Sequence, residues 1–326
     1  MDRRVLAVPW PGPISTDLPA SFGLGTAPIG GLFEAVEEDE AQATLRRGIA
    51  AGATVVDTAP LYGSGLSESR VGSVLAEVAV PAGLLLSTKV GRVLVPADGS
   101  PSEFKGAPPL RAQFDWSAQG IESSLRSSLD RLGVDRVDIG LAHDADAHEE
   151  DALATGFPTM RRLQEEGLIG VVGAGMNRAE MLERFVVRAE LDVILLAGRW
   201  TLFEHLDPAR RLLDRCRADG VGVMLGGILN SGLLAGGSTF NYQPAPADVL
   251  ARRDALGAAC AEHGVTLEHA ALRFAAGHSA VSCVLVGART PAEVDSAVGS
   301  LREPVPEELW EDLRRRGLMH HDVHVA

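Results

Sequence analysis

Val55-Val56-Asp57-Thr58-Ala59-Pro60-Leu61-Tyr62-Gly63 leads two β-branched residues into a carboxylate, then a turn, then a phenol five positions beyond the carboxylate. It reads as a buried strand that delivers Asp57 to the rim of a sheet. The Ala59-Pro60 turn swings Tyr62 back over the same rim. Leu84-Leu85-Leu86-Ser87-Thr88-Lys89 is a second strand, ending in a lysine, and Val137-Asp138-Ile139-Gly140-Leu141-Ala142 is a third, running into His143. Three apolar strands thus each end in an ionisable residue. In barrels of parallel strands the chemistry sits at the carboxyl ends of the strands. Asp57, Tyr62, Lys89 and His143 are therefore expected at one site.

The rest of the chain keeps that rhythm. Phe22 to Thr26 reads as a first short strand, and Glu38 to Ala51 as a helix with apolar positions Ala41, Leu45 and Ile49 and Gly52 as its C-cap. Ser67 to Ala79 reads as a helix capped by Ser67, and Ser117 to Leu132 as an amphipathic helix closed by Gly133. Residues 90 to 116, with four prolines, read as a long loop of the kind that usually carries function. Strand and helix patterns then alternate to Leu301, which implies a parallel sheet with right-handed crossovers. Roughly eight strand-helix units are countable, the number of a (β/α)8 barrel. No linker or composition shift divides residues 1–326, so one α/β barrel domain is expected. Residues 1 to 22 form a lead-in segment, and a helix around Trp310 lies outside the barrel.

Composition narrows the function. The formal charge is −14, with no basic stripe for nucleic acid or an anionic membrane surface. No apolar run is long enough to span a bilayer, and the N-terminus lacks a signal-peptide core. Cys216, Cys260 and Cys283 are odd in number and far apart, which fits buried free thiols in a reducing cytoplasm. Of 30 basic residues only Lys89 and Lys105 are lysines. Lysine, unlike arginine, can be tuned and can sit as a compact charge beside a phenol.

A phenol titrates near pH 10, and a neighbouring ammonium lowers that value. Tyr62 beside Lys89 could therefore exchange a proton near neutrality, with Asp57 holding the ammonium and His143 binding a substrate oxygen. Such a set moves a proton on or off an alcohol or carbonyl oxygen. It lacks an electron sink, so a hydride-accepting cofactor is its complement. Read singly, Asp57 could be a cap, Tyr62 a packing residue and His143 a satisfied strand-end histidine. The run from His143 to Glu150 and the tail His320-His321-Asp322-Val323-His324 contain metal donors. The first also reads as a solvated loop feeding a helix N-terminus and the second as a polar terminus, and no metal site is assigned. Gly173-Ala174-Gly175 lacks the third glycine of a dinucleotide fingerprint. Candidate phosphate contacts are Gly226 to Gly232 and Gly287-Ala288-Arg289-Thr290-Pro291 before a helix.

These residues resemble the aldo-keto reductase superfamily from about residue 20 to about residue 300. Asp57 to Gly63 with Glu68 and Gly72 resembles its Asp/Tyr motif, Ser87-Thr88-Lys89 its lysine strand, and Leu129 to Asp138 leading to His143 its histidine segment. The resemblance implies a (β/α)8 barrel with NAD or NADP over its mouth. It also implies a catalytic tetrad of Asp57, Tyr62, Lys89 and His143, with Tyr62 as general acid/base. A finer resemblance is to bacterial aldose 1-dehydrogenases of the L-fucose and D-threo-aldose type, neighbours of pyridoxal 4-dehydrogenases. It is carried by Phe114-Asp115-Trp116-Ser117, His143-Asp144, Gly175-Met176-Asn177, Leu195 to Leu202 and Asn230 to Ala235. That implies a sugar or carbonyl substrate touching Phe114, Trp116 and His143. The cofactor contacts it implies are Gly25, Thr26, Asp57, Asn177, Trp200, Gly227, Leu229, Ser231, Gly232, Leu234, Gly287, Arg289, Thr290 and Glu293. Departures are visible. The usual Ser-Asn pair is Met176-Asn177, the usual glutamine is Leu195 or Leu196, the tyrosine stacked on nicotinamide becomes Trp200, and the adenine asparagine becomes Ala297. The alternatives are carbonyl reduction or pyridoxal oxidation at the same site, a barrel metal hydrolase using His143, Asp144, Asp146 and His148, or a non-catalytic NAD(P)H-binding barrel.

Overall fold

Short apolar runs become parallel strands here, and runs with three- to four-residue apolar spacing become helices packed outside them. The structure, a computed structural model, describes residues 20–99, 102–323 and 325. The expected lead-in therefore lies, up to residue 19, outside the described residues. In chain order the elements are β1 (Ser21–Gly25), α1 (Glu38–Ala50), β2 (Val55–Asp57), α2 (Leu66–Glu77), β3 (Leu85–Val90), β4 (Arg92–Pro96) and β5 (Leu110–Phe114). Then come α3 (Ala118–Leu132), β6 (Val137–His143), α4 (Glu149–Asp151), α5 (Phe157–Glu165), β7 (Ile169–Met176), α6 (Ala179–Arg188), β8 (Val193–Ala197) and α7 (Ala209–Asp219). The chain continues with β9 (Gly222–Gly226), β10 (Thr239–Phe240), β11 (Gln243–Pro244), α8 (Ala247–Glu262), α9 (Leu267–Ala276), β12 (Cys283–Gly287), α10 (Pro291–Arg302) and α11 (Glu307–Arg315).

Eight strands close into a barrel in the order β1-β12-β9-β8-β7-β6-β3-β2, each parallel to its neighbours. This is the expected (β/α)8 architecture. Side chains alternate along each strand, so one set points to the barrel axis and the other to the helices. Val55, Leu85, Leu141, Leu195, Met224 and Leu285 belong to the inner cluster, and Val56, Leu86, Ala142, Leu196, Leu225 and Val286 to the outer one. Counting on in steps of two, the inward positions at the carboxyl ends include Asp57 after Val55, Lys89 after Leu85, and His143 after Leu141. The pleat itself therefore aims the three ionisable residues at the axis. The three cysteines are free and buried. Among the described residues no helix is long and apolar enough to cross a membrane.

Two local readings are corrected. Residues 90 to 116 are not wholly loop, because β4 and β5 pair as an antiparallel hairpin from Arg92↔Phe114 to Pro96↔Leu110. Its strands are joined by a long Pro/Gly-rich segment rather than a tight turn, so no turn signal announces the pairing. Ser67 does not cap α2. Gly65 precedes that helix with φ 89, and the buried Ser67 hydroxyl donates to Thr26 Oγ1 (2.7 Å), which donates to the Asp57 carbonyl (2.9 Å). Ser117 does cap α3, its hydroxyl accepting the Gly120 N–H at 3.0 Å.

Glu68 ties α2 to the floor of the site. It is fully buried, and it accepts hydrogen bonds from Thr88 Oγ1 (2.7 Å) and Arg131 Nε (2.8 Å). Glu68→Ala removes the carboxylate partner of Arg131, whose guanidinium is 21% exposed and also donates to Ser128 Oγ at 3.2 Å. It should lower stability by about 2 kcal/mol, the scale of a hydrogen bond to a charged group, read as a drop in the urea midpoint, with Glu68→Gln losing less. An unchanged midpoint would show that the pair does not hold the fold.

Candidate active site

Asp57, Lys89 and His143 reach the axis by strand register, and Tyr62 joins them from the turn after β2. The Lys89 ammonium donates to Asp57 Oδ2 at 2.6 Å and to the Thr58 carbonyl at 2.8 Å. Asp57 Oδ1 accepts from Ser87 Oγ at 2.8 Å. Lys89 and Asp57 are 1% and 2% exposed, so this is a buried ion pair. Lys89 Nζ lies 4.6 Å from the Tyr62 ring centroid and within hydrogen-bonding reach of its hydroxyl. The His143 ring meets the Tyr62 ring edge-on, with centroids 5.9 Å apart. The four sequence-predicted residues are thus brought together.

The electrostatics differ from the sequence expectation. Burial pushes the Tyr62 phenol up, Lys89 pulls it down, and Asp57 pushes it up again, for a pKa of about 12. The ammonium alone does not bring the phenol toward neutrality, because the same enclosure that brings Lys89 close also removes water from the phenolate. Burial pulls Lys89 down, but Asp57 and Tyr62 outweigh it, and its pKa is about 12. His143 is held well below the usual imidazole range by burial, with Lys89 and then Arg92 adding to it. It is neutral at pH 7. Its Nδ1 is buried with no hydrogen-bond partner among the described residues, and its Nε2 lies 3.5 Å from the Asp144 carboxylate. Nδ1 is also closed to solvent, so of the two nitrogens only Nε2 could meet a substrate oxygen.

The opposite half of the barrel top is bare. Gly25 pairs with Asp57, Gly175 with His143, and Ala197 with Gly226. A Cβ on Gly175 would sit 3.7 Å from Lys89 Cε, and one on Gly226 3.3 Å from Leu195. These inward positions carry at most a methyl group, which leaves a flat floor facing the ionisable half. A planar ring such as the nicotinamide implied by the resemblance would meet no long inward side chain at these strand ends.

Other predicted cofactor contacts fall into three groups. Thr26 is buried, its hydroxyl spent on the Asp57 carbonyl. Asn177 follows β7, and Gly227, Leu229, Ser231, Gly232 and Leu234 lie in the coil after β9, where Leu234 is wholly buried. Gly287 is packed so closely that a Cβ would lie 2.9 Å from Pro28. Arg289 is bracketed by Glu34 (2.7 Å) and Glu293 (3.0 Å), and Thr290 caps α10 through the Glu293 N–H. Trp200 is the exception. It is 2% exposed, stacked on Phe274 at 5.7 Å and edge-on to His278 at 4.8 Å. Its ring is core between β8 and α9, with no face open to a nicotinamide.

On the substrate side, Phe114 lies under the Arg92 guanidinium (4.0 Å), which pairs with Asp144 at 3.0 Å, next to His143. Trp116 is buried beside Phe114 and fills the space above Gly91, where a Cβ would lie 2.6 Å from its ring. Phe104, not anticipated from the sequence, stands 6.1 Å from the Tyr62 ring. The donors of the 143–150 run do not gather into one cluster: Asp144 meets His143 and Arg92, Asp146 lies 3.8 Å from Arg178, and His148 packs on Phe114. Among the described residues the donors that converge are those of His320, His321 and Asp322, within 4.8 Å on the tail. A cavity of about 610 Å3 between α2, α3 and β4 touches none of the four residues.

The fold and site define a parallel barrel with a buried Lys-Asp pair beneath a half-buried tyrosine at its mouth, the equipment of a hydride-transfer oxidoreductase. The description of the aldo/keto reductase family matches residues 21–316. The chain is 35% identical over 312 residues to a D-threo-aldose 1-dehydrogenase from a Pseudomonas species, covering 92% of this chain and 94% of that one. It is 34% identical over 325 residues to a pyridoxal 4-dehydrogenase from Microbacterium luteolum, with the same coverage. A glycerol dehydrogenase structure from Gluconobacter oxydans superimposes with a TM-score of 0.72 at 25% identity, covering 97% of both chains. The chain belongs to the aldo/keto reductase family, and it is an NAD(P)-dependent oxidoreductase.

The chain has two tyrosines, Tyr62 and Tyr242, and burial raises both pKa values. The tyrosinate absorbance of the folded, cofactor-free protein should therefore stay flat up to about pH 10. A phenol ionising near neutrality, absent in Tyr62→Phe, would overturn this account of the site.

Proposed function

We propose that this enzyme oxidises a free aldose of the L-fucose kind at its anomeric carbon to a lactone, using NAD. The observation that carries the reading is the juxtaposition of the Lys89–Asp57–Tyr62 set with a side-chain-free floor. The choice of an aldose is supported by the relative named for D-threo-aldose and the structural neighbour named for glycerol, both polyhydroxylated. When bound in its oxidised form, the nicotinamide brings a positive ring charge to the site and accepts the hydride. Tyr62 takes the proton of the substrate hydroxyl. Lys89 stabilises the phenolate that precedes this, and Asp57 with the Thr58 carbonyl fixes Lys89. Neutral His143 orients the substrate oxygen through Nε2, its Nδ1 being closed to solvent. Because Tyr62 is protonated in the free protein, oxidation should quicken as pH rises toward its pKa of about 12.

The test follows nicotinamide absorbance with NAD and NADP in parallel against L-fucose, other aldoses and pyridoxal. We expect turnover of an aldose, and a loss of about 10²- to 10⁴-fold in kcat for Tyr62→Phe with cofactor affinity kept. Near-normal turnover by that variant would defeat the mechanism. The second reading is pyridoxal oxidation, favoured by the 34% identical relative, or carbonyl reduction, favoured by the protonated, donor-ready state of Tyr62. The same panel, run also with NAD(P)H and aldehydes, separates them.

The preference for NAD rests on Arg289. Glu34 and Glu293 enclose its guanidinium and leave the group of three net negative, which disfavours a 2′-phosphate there. Replacing both glutamates by glutamine should lower KM for NADP by about fivefold, the scale of exposed charge pairs, and leave KM for NAD nearly unchanged. Equal response of the two cofactors would sink the assignment.

A further inference from the structure

Two exposed aromatic side chains meet at the barrel mouth from two loops, those after β1 and β9, whose strands flank β12. Phe33, after β1, is 43% exposed, and Tyr242, between β10 and β11, is 41% exposed. Their ring centroids are 6.2 Å apart. Both have a left-handed backbone, φ 68 for Phe33 and φ 64 for Tyr242. Asn241 and Tyr242 form the two-residue turn of the β10–β11 hairpin, with Phe240 paired to Gln243 and Asn241 at φ 48. Glycine is the residue that takes the second position of such a turn without strain. A tyrosine held there against its backbone preference calls for a role.

The turn is fastened to the rim at several points. Arg199 Nη1, just past β8, donates to Asn241 Oδ1 at 2.8 Å. The Tyr242 N–H donates to Ser231 Oγ at 3.1 Å. The Tyr242 hydroxyl lies within hydrogen-bonding reach of the Asn177 side chain, and the charge of Asp144 and the Tyr62 phenol are both felt between these groups. The ring thus shows its outer face to solvent while its hydroxyl turns into the mouth. Phe33 supplies an apolar wall beside it, and Phe104 one beside Tyr62. A phenol, a carboxamide and the Arg92–Asp144 pair around one opening are hydrogen-bond partners in excess of what a single reacting oxygen needs.

We propose that Tyr242 is a specificity-determining residue that binds hydroxyl groups of the substrate away from the reacting carbon, so that the site selects polyhydroxylated over plain carbonyl compounds. This rests on the polyol reading of the preceding subsection and identifies the contact that enforces it. Asn177 would release the phenol to the substrate hydroxyl as it enters, and the Phe33 ring would cover the apolar face of the carbon chain.

The test compares two aldehydes of equal carbon count, glyceraldehyde and propanal, reduced with NADH by the parent enzyme, Tyr242→Phe and Tyr242→Gly. The phenylalanine variant should lose about tenfold in kcat/KM for glyceraldehyde, chiefly through KM, the scale of one hydrogen bond. Propanal should change less than about twofold. Tyr242→Gly relieves the backbone strain, so its thermal midpoint should hold or rise while glyceraldehyde is still lost. This separates a specificity role from damage to the fold. An equal fall for both aldehydes would overturn the proposal and make Tyr242 part of the general machinery. No change for either would overturn it as well. Turnover of propanal with no preference for glyceraldehyde or aldoses in the parent enzyme would overturn the polyol reading itself, a result that Tyr242 variants alone cannot produce.

Discussion

A lysine ammonium and an aspartate carboxylate, both almost wholly removed from water, set the terms for everything above them. Taking two such charges out of water is unfavourable, and their attraction offsets this only where the remaining valences are satisfied. Here they are: Ser87 Oγ serves the second carboxylate oxygen, and the Thr58 carbonyl takes another ammonium proton. A pair of this kind contributes little to folding that apolar side chains could not. Its value is positional. It keeps a positive charge within reach of the Tyr62 hydroxyl, and a barrel supplies the fixed strands needed to hold three groups at that spacing.

The barrel and the gathering of Asp57, Lys89 and His143 at its mouth were legible because both follow from period. Strand period two decides that Asp57, Lys89 and His143 face the axis once Val55, Leu85 and Leu141 do, and those apolar residues declare themselves. Glycine ends such as Gly175 and Gly226 follow from the same count and needed only to be read as space. What escaped depends on contacts between segments distant in sequence. Nothing local distinguishes a Trp200 that faces the mouth from one that packs on Phe274 in α9, 74 positions on. The β4–β5 hairpin pairs residues up to 22 apart across a Pro/Gly-rich span. The fall in Tyr62 pKa expected from Lys89 was outweighed by enclosure, and enclosure is a property of the whole mouth. Tyr242 and Phe33, some 200 positions apart, were invisible as a pair.

The backbone divides along the same line. Among the described residues, eight that are not glycine have positive φ: Phe33, Ser64, Asp144, Glu190, Asn230, Ser231, Asn241 and Tyr242. All but Glu190 lie in segments that follow the carboxyl ends of barrel strands. Left-handed conformations cost roughly 1–2 kcal/mol each, and they persist where surrounding contacts over-determine them. The opposite end of the barrel carries almost none of this strain. Stability is thus built into the inner and outer apolar clusters, and the rim uses part of it to hold side chains where relaxed backbone would not place them.

This division explains why reaction class and substrate differ in how far they can be read. Hydride-transfer chemistry needs a few groups at fixed spacing, and regular strands encode that spacing in the order of residues. Substrate choice needs several loops to meet, each set by contacts with the others rather than by its own pattern. Phe33, Phe104 with Phe114, and Tyr242 come from three separate connections, and the contacts they make at the rim are a fact of the closed fold. A relative that kept Asp57, Tyr62, Lys89 and His143 but altered the β10–β11 turn would retain the reaction and change what it accepts. The aldose, pyridoxal and glycerol specificities named among proteins similar to this chain are what such a separation of scaffold from rim would produce.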